Sequence, residues 1–328
     1  MKEVNTNLPF SFALAKRFVS DCNFPIPIIN KEHFFYLLSL YEEEMGTLTE
    51  YIKLINIIKE QFNENEEEFI KYFLDTRESI IKYFHENEEY KNFNTIDLNM
   101  YKIPKMNVSR SNVYKEDNNG KYFLSIDIKK ANFQCLKYFS PNLFKGKETY
   151  EEFIGIFTDN DYIKKSKYNR QVIFGQLNPS RHITLEKYLS YKIYELCKSE
   201  FSLDNSIGKL VSISNDELIY SVDNNDIDTK TIGEIVFSKL GILVNVENYK
   251  LNGYSFNIKR EDKDSRKFEF YVKEYNNGTE SKLFCVPLPY YALVYKLYHN
   301  KELFNMDYHF NYESIDCMFN ENFIVKPL

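Results

Sequence analysis

The chain has no tryptophan, no Cys-x-x-Cys pair, no apolar run near the roughly 18 residues of a membrane-spanning helix, and no excess of positive charge. Its five cysteines, Cys22, Cys135, Cys197, Cys285 and Cys317, are odd in number and widely scattered. The five histidines, His33, His85, His182, His299 and His309, form no cluster. This spacing gives no support to a zinc site or a Ser-His-Asp hydrolase, and it reads as reduced, mostly buried thiols. The net charge of −6 argues against a surface that holds nucleic acid over its whole extent, while leaving room for a basic channel inside an acidic shell. The opening "MKEVNTNLPF" lacks the charged-then-apolar order of a secretory signal, so a cytoplasmic protein without membrane association is expected. No internal repeat or low-complexity linker interrupts the chain.

What is present is enough apolar residue to fold. A chain of 328 residues with 43% hydrophobic content can bury a sizeable core, and its length suggests about two domains. The 27 tyrosines and 28 phenylalanines accompany abundant Asn, Lys and Ile. An AT-rich genome explains that usage as well as any special surface does, so it carries no functional weight.

Between about residues 31 and 90 the apolar residues recur at three- and four-residue steps, as in "EHFFYLLSLYEEEM" and "EEEFIKYFLDTRESIIKYF", which predicts helices with acidic outer faces. Near residue 100 the composition shifts to short β-favouring runs, basic residues Lys102, Lys105, Arg110, Lys115 and Lys121, and a turn at Asn118-Asn119-Gly120. A strand is predicted at "YFLSIDI", helices at roughly 145 to 158 and 180 to 200, and a strand pair around "SISNDELIYSV". A helix near 229 to 240 follows, then strands at "GILVNVENYKL", "YSFNIKR" and "KFEFYVKEY". Strands and helices in this mixed order favour an α+β fold with an antiparallel sheet.

Two places in this pattern carry acids. Asp127 ends the apolar stretch of "YFLSIDI", and Asp216 and Glu217 sit at the tip of the later hairpin. Two strands delivering carboxylates to one end of a sheet can hold Mg²⁺ or Mn²⁺ ions for in-line displacement at phosphorus, because that chemistry needs hard oxygen ligands on rigid neighbours.

The segments "LSIDIKKANF", "FGQLNPSRHITLEKYL", "SISNDELIYSV" and "GILVNVENYKL", in that order, resemble motifs A to D of a palm-domain nucleic acid polymerase. The acidic hairpin is similar to that of family A DNA polymerases, with Asn215 where those have His. The offset of 89 positions from Asp127 to Asp216 and the "DIKKA" run look instead like a reverse transcriptase or a viral RNA polymerase. The resemblance covers roughly residues 100 to 275 and implies a right-hand palm packed on helices over 101 to 275; apolar periodicity and the composition shift give a helical N-terminal region over 1 to 100, and residues 276 to 328, with room for at most one helix, leave a small or absent thumb.

It further implies two Mg²⁺ (or Mn²⁺) ions held by Asp127, Asp216 and the carbonyl of Ile128, with Glu217 as the second acid of the hairpin and Lys250 as general acid. Arg110, Arg170, Gly175, Gln176 and Asn178 would meet nucleotide or template, and Asn132 and Phe133 would stand near the sugar. The partners implied are a primer-template nucleic acid and dNTP or NTP, with help from a protein partner or a second copy. Such an enzyme would serve a mobile element, a virus or a bacterial defence system.

A second reading is a catalytically weak or inactive palm-fold subunit, favoured by Asn215, Glu217, Asn132 and the irregular "GQLNPS" segment. A third is a compact family A-like or RNA polymerase. A fourth takes the acidic hairpin as only a turn.

Overall fold

The computed structural model describes residues 8–224, 226–259, 266–275, 278–313, 315–320 and 322–328. It is a mixed α+β protein built on an antiparallel sheet. Six helices come first: α1 (Phe12–Cys22), α2 (Lys31–Leu40), α3 (Glu42–Met45), α4 (Thr47–Phe62), α5 (Glu66–Glu86) and α6 (Glu88–Thr95). Strand β1 (Lys121–Ile128) then leads into α7 (Ala131–Phe139), α8 (Tyr150–Ile154), α9 (Asp161–Lys165), α10 (Lys167–Gly175) and α11 (Pro179–Glu200). A hairpin of β2 (Gly208–Ile213) and β3 (Glu217–Val222) follows, then α12 (Thr229–Leu240), β4 (Val244–Lys259), β5 (Arg266–Tyr275), β6 (Glu280–Phe284), α13 (Tyr291–Tyr298), β7 (His309–Tyr312), β8 (Ile315–Met318) and β9 (Asn322–Pro327).

Local chemistry sets many of the helix starts. Ser11, Asn30, Asn65, Asn160 and Ser166 each accept a backbone N–H from the first turn of the helix they precede, and Thr149 with Glu152 forms a reciprocal capping box. Asp228 does the same for α12, so the acidic turn after the hairpin ends in a helix cap.

The sheet runs β2-β3-β1-β4-β5-β6, with β9 also on β4 and every named pairing antiparallel. Its first four strands, with helices between β1 and β2 and between β3 and β4, form a split βαβ unit. Leu124, Ile126 and Ile128 of β1 alternate onto the helix-covered face, where they join Leu218, Tyr220 and Val222 of β3 and the buried sides of α5 to α8 and α10 to α12. Phe123, Ser125 and Asp127 therefore look the other way. That second face is covered over part of its length by Val113, Ile219, Tyr249, Leu251, Tyr271 and Tyr275.

The N-terminal helices make their own core of Phe18, Phe34, Phe35, Tyr51 and Phe69, among others, which Tyr291 and Tyr295 of α13 complete. Thus the stretch after residue 276 returns to two earlier parts of the chain, since β9 also pairs with β4. Among the described residues no helix is long and apolar enough to cross a membrane.

Two sequence expectations resolve differently. Asn252-Gly253 reads as a break between two strands, yet β4 runs unbroken for 16 residues. Gly253 is there for close approach: a Cβ on it would stand 2.7 Å from Leu328 Cδ1 and 3.3 Å from Tyr271 Cε1. The helix expected over roughly 145 to 158 is confined to α8, Tyr150–Ile154, while α7, Ala131–Phe139, is not among the expected elements.

The acidic hairpin is packed tightly at its base. A Cβ on Gly208 would lie 2.9 Å from both the Ser221 carbonyl oxygen and Val222 Cγ1, closer than real Cβ atoms come. Gly208→Ala is expected to destabilise the protein by about 1–3 kcal/mol, read as a lower urea midpoint. Gly253→Ala should cost less, because the tip of Leu328 can swing aside.

Candidate active site

Asp127 is the penultimate residue of β1, directly opposite Glu217 of β3 on one side and Asn245 of β4 on the other. Residues directly opposite in an antiparallel pair project to the same face. Asp127 and Glu217 therefore share the face turned away from the helices. Asp216 immediately precedes β3, and its carbonyl accepts the amide of Ile128 at 2.7 Å. This bond fastens the hairpin tip to the end of β1. Ser214 Oγ donates to the Asp216 carboxylate at 3.1 Å and accepts the amide of Glu217 at 3.0 Å, while Ser190 of α11 donates to the carbonyl of Asn215 at 2.8 Å.

Negative charge concentrates here. Burial first, then the neighbouring Asp216, Glu217 and Glu247, pushes the Asp127 carboxyl up to about 7, with Lys273 opposing. Glu186 on α11 is 4% exposed and is likewise raised to about 7, by burial and then by Asp216. Glu217 Oε1 accepts a hydrogen bond from Ser125 Oγ at 2.8 Å and lies 4.0 Å from Lys273 Nζ. Asn245 donates to Glu247 at 2.9 Å, and Lys282 Nζ stands 3.9 Å from the same carboxylate.

The other residues named from the sequence separate into two groups. Asn132 is brought close: its Nδ2 donates to Glu186 Oε1 at 2.6 Å. Arg110 is exposed on the rim, hydrogen-bonded with Tyr114 and near enough to Lys273 to add its positive field there. Gly175, Gln176 and Asn178 form the turn between α10 and α11, eight residues from Asn178 to Glu186 or about 12 Å of helix. Asn178 adopts φ 47°, and its Nδ2 donates to Asn94 at 3.0 Å. A Cβ on Gly175 would meet nothing within 4 Å, so packing does not demand the glycine.

Three residues are not brought to the acids. Phe133 is 1% exposed and packs on Phe144 at 4.7 Å between ring centres, inside the helix-side core. Arg170 is drawn to the ring of Tyr150, 5.7 Å away, and to Glu151, which also pairs with Lys130. Lys250 pairs with Tyr122, five positions before Asp127, so it lies about 17 Å along the strand and on the opposite face. The cations on the acid face are Lys273, which is buried, and Lys282 opposite it on β6.

Ser125, Glu186, Glu247 and Lys273 were not singled out from the sequence. Ser125 and Glu247 had a signal in the two-residue alternation of their strands. Glu186 had a weaker one, one helical turn before Ser190. Lys273 had none, because its surroundings come from strands distant in sequence.

Among the described residues no three His, Cys, Asp or Glu side chains form a ready-made metal cage. The donor set nevertheless suits Mg²⁺, which is usually held by one or two carboxylates with water and substrate oxygens completing its shell. Asp127 and Asp216 are two such carboxylates, and their mutual repulsion is what a cation relieves. A cavity of about 890 Å³ lies to one side, lined by β6, α3 and α13 residues including Phe284, Tyr291 and Tyr295, and it adjoins the acid face through Lys282 and Phe284.

No family model matches the chain, and neither a curated protein nor a solved structure matches it significantly.

The raised Asp127 gives a test of the electrostatics. Below the ordinary carboxylate value of 3.8 both folded and unfolded chains are protonated there, and the residue costs nothing. As pH rises towards about 7 the unfolded chain releases a proton that the folded chain keeps, so the folded state loses stability over that window and bears the full penalty above it. Asp127→Asn is therefore expected to raise the melting temperature at pH 8 and not at pH 4, in metal-free buffer. The gain should be on the order of 1–2 kcal/mol once solvent access to the carboxyl is discounted.

Proposed function

We propose that the protein is a palm-type nucleotidyltransferase, similar to reverse transcriptases, that extends a nucleic acid 3′ end from dNTPs or NTPs. The observation that carries this reading is the juxtaposition of Asp127 and Asp216 at the same end of a split βαβ sheet, close enough for the Asp216 charge to raise the Asp127 carboxyl. The sequence order of the four motif-like segments supports it independently.

In this reading Asp127 and Asp216, with the Ile128 carbonyl, would hold Mg²⁺ or Mn²⁺. The bound ions would acidify the attacking 3′-hydroxyl and neutralise charge on the triphosphate. The chain's own part is positional. The β1-β3 ladder and the Ile128-Asp216 bond hold the two carboxylates at a fixed separation. Helix α11 lies behind them and presents Glu186, which engages the Asn132 amide where the incoming sugar would lie. Arg110 on the rim offers a bidentate fork for phosphate. Lys250 has no part in this account.

The runner-up is a palm-fold subunit that binds nucleic acid or a partner polymerase without catalysis. The features that favour it are Glu217, whose carboxylate is engaged by Ser125 and Lys273, and Phe133, which the core removes from the substrate face.

The deciding assay offers labelled dNTPs and NTPs separately, with primed RNA, primed DNA or no template, in Mg²⁺ or Mn²⁺. Incorporation that falls by about a hundredfold or more in Asp216→Ala is the expected result, because charge clamps on phosphoryl groups carry most of such catalysis. Silence in every combination from folded protein, together with undiminished nucleic acid binding by Asp216→Ala, selects the subunit instead.

A further inference from the structure

Four carboxylates, Asp127, Asp216, Glu217 and Glu247, gather at one end of the sheet, and one buried ammonium stands among them. Lys273 of β5 is 4% exposed. Its Nζ lies 4.2 Å from the ring centre of Tyr249 on β4 and 4.7 Å from that of Phe284 on β6, so rings from both neighbouring strands fix its position. Its nearest carboxylate oxygen among the described ion pairs is Glu217 Oε1 at 4.0 Å, and that same oxygen accepts the Ser125 hydroxyl.

Glu217 has two directions open to it. Register sets it directly across from Asp127, so it can lean towards the Asp127-Asp216 pair or back along the strand towards Ser125. The structure takes the second, and the extra methylene of glutamate over aspartate supplies the reach. A buried ion pair is a weak source of net stability, because desolvation consumes most of the attraction. Its presence here therefore asks for another role.

We infer that Lys273 is a positioning residue that holds Glu217 out of the metal-ligand set, so that the centre presents two carboxylates, Asp127 and Asp216, rather than three. The inference rests on the metal-binding reading of those two acids given above. It explains how a glutamate stands beside Asp216 without becoming a competing ligand.

The test uses Mn²⁺ alone as the probe, titrated into the 328-residue chain and followed by the loss of the free-ion electron paramagnetic resonance signal. Wild type is expected to bind, Asp216→Asn to bind about 30-fold more weakly because it loses a charged ligand, and Glu217→Gln to lose no more than about threefold, because a carboxylate held off the metal contributes only its screened field. Lys273→Met is expected to bind about tenfold more tightly because it frees Glu217 as a third ligand, and the double variant Lys273→Met/Glu217→Gln to lose that gain. Lys273→Arg should resemble wild type.

The inference is overturned if Glu217→Gln loses as much affinity as Asp216→Asn, a comparison that holds even where Lys273→Met fails to fold. It is also overturned if Lys273→Met binds no tighter, or if it tightens binding equally with and without Glu217, which would make Lys273 a source of field alone. Wild type that binds no Mn²⁺, or binds it identically after Asp216→Asn, instead removes the metal reading on which the inference stands.

Discussion

The β1-β3 ladder is the constraint on which the rest depends. It sets Asp127 against Glu217, and the amide of Ile128 reaching the carbonyl of Asp216 extends it by one more bond into the hairpin tip. Each such hydrogen bond contributes only about 1 kcal/mol net, so their importance is geometric. They force two like charges together, and the surrounding elements answer that repulsion. Ser125 donates to Glu217, Ser214 to Asp216, Asn132 to Glu186, and Lys273 brings a positive charge beneath them. The remaining imbalance is carried by Asp127, whose carboxyl holds its proton far above the usual range.

That cost is tolerable because both faces of the sheet are anchored elsewhere. Helices cover the even-numbered residues of β1, and aromatic residues of β4 and β5 cover the odd-numbered ones as far as Ser125. Only the last turn of the pleat is left for the acids. Strand β4 contributes to both regions, since its first half pairs with β1 and its second half with β5 and β9. The acid end of the sheet and the C-terminal stretch thus share one continuous backbone.

Much of this was legible in the sequence. Apolar periodicity marked α2, α4, α5 and α11; alternation marked β1, β3 and β5; and the span of α12 followed from its cap and its length. The pairing of Asp127 with Asp216 came from motif order. Side-chain parity was harder to read. Lys250 has a suitable spacing from Asp216, but Asn245, Glu247 and Tyr249 occupy the acid face of β4, and an odd offset turns Lys250 to the other side. Phe133 follows Asn132 in sequence, yet the helix that starts at Ala131 rotates it into the core. Lys273 is buried by Tyr249 and Phe284, contacts that exist only once three strands have assembled, and no local pattern encodes them.

The separation of the two acids in sequence has a kinetic consequence. Asp127 and Asp216 stand 89 residues apart and meet only through pairing between β1 and β3. The five helices between those strands have to be docked, or at least looped out, before that ladder can close, and closure over such a span slows folding. A growing chain that has left the ribosome only as far as α11 therefore carries a helical body and half of an acid pair. The acid pair can assemble only after α7 to α11 have been made, and its buried cation arrives later still, on β5.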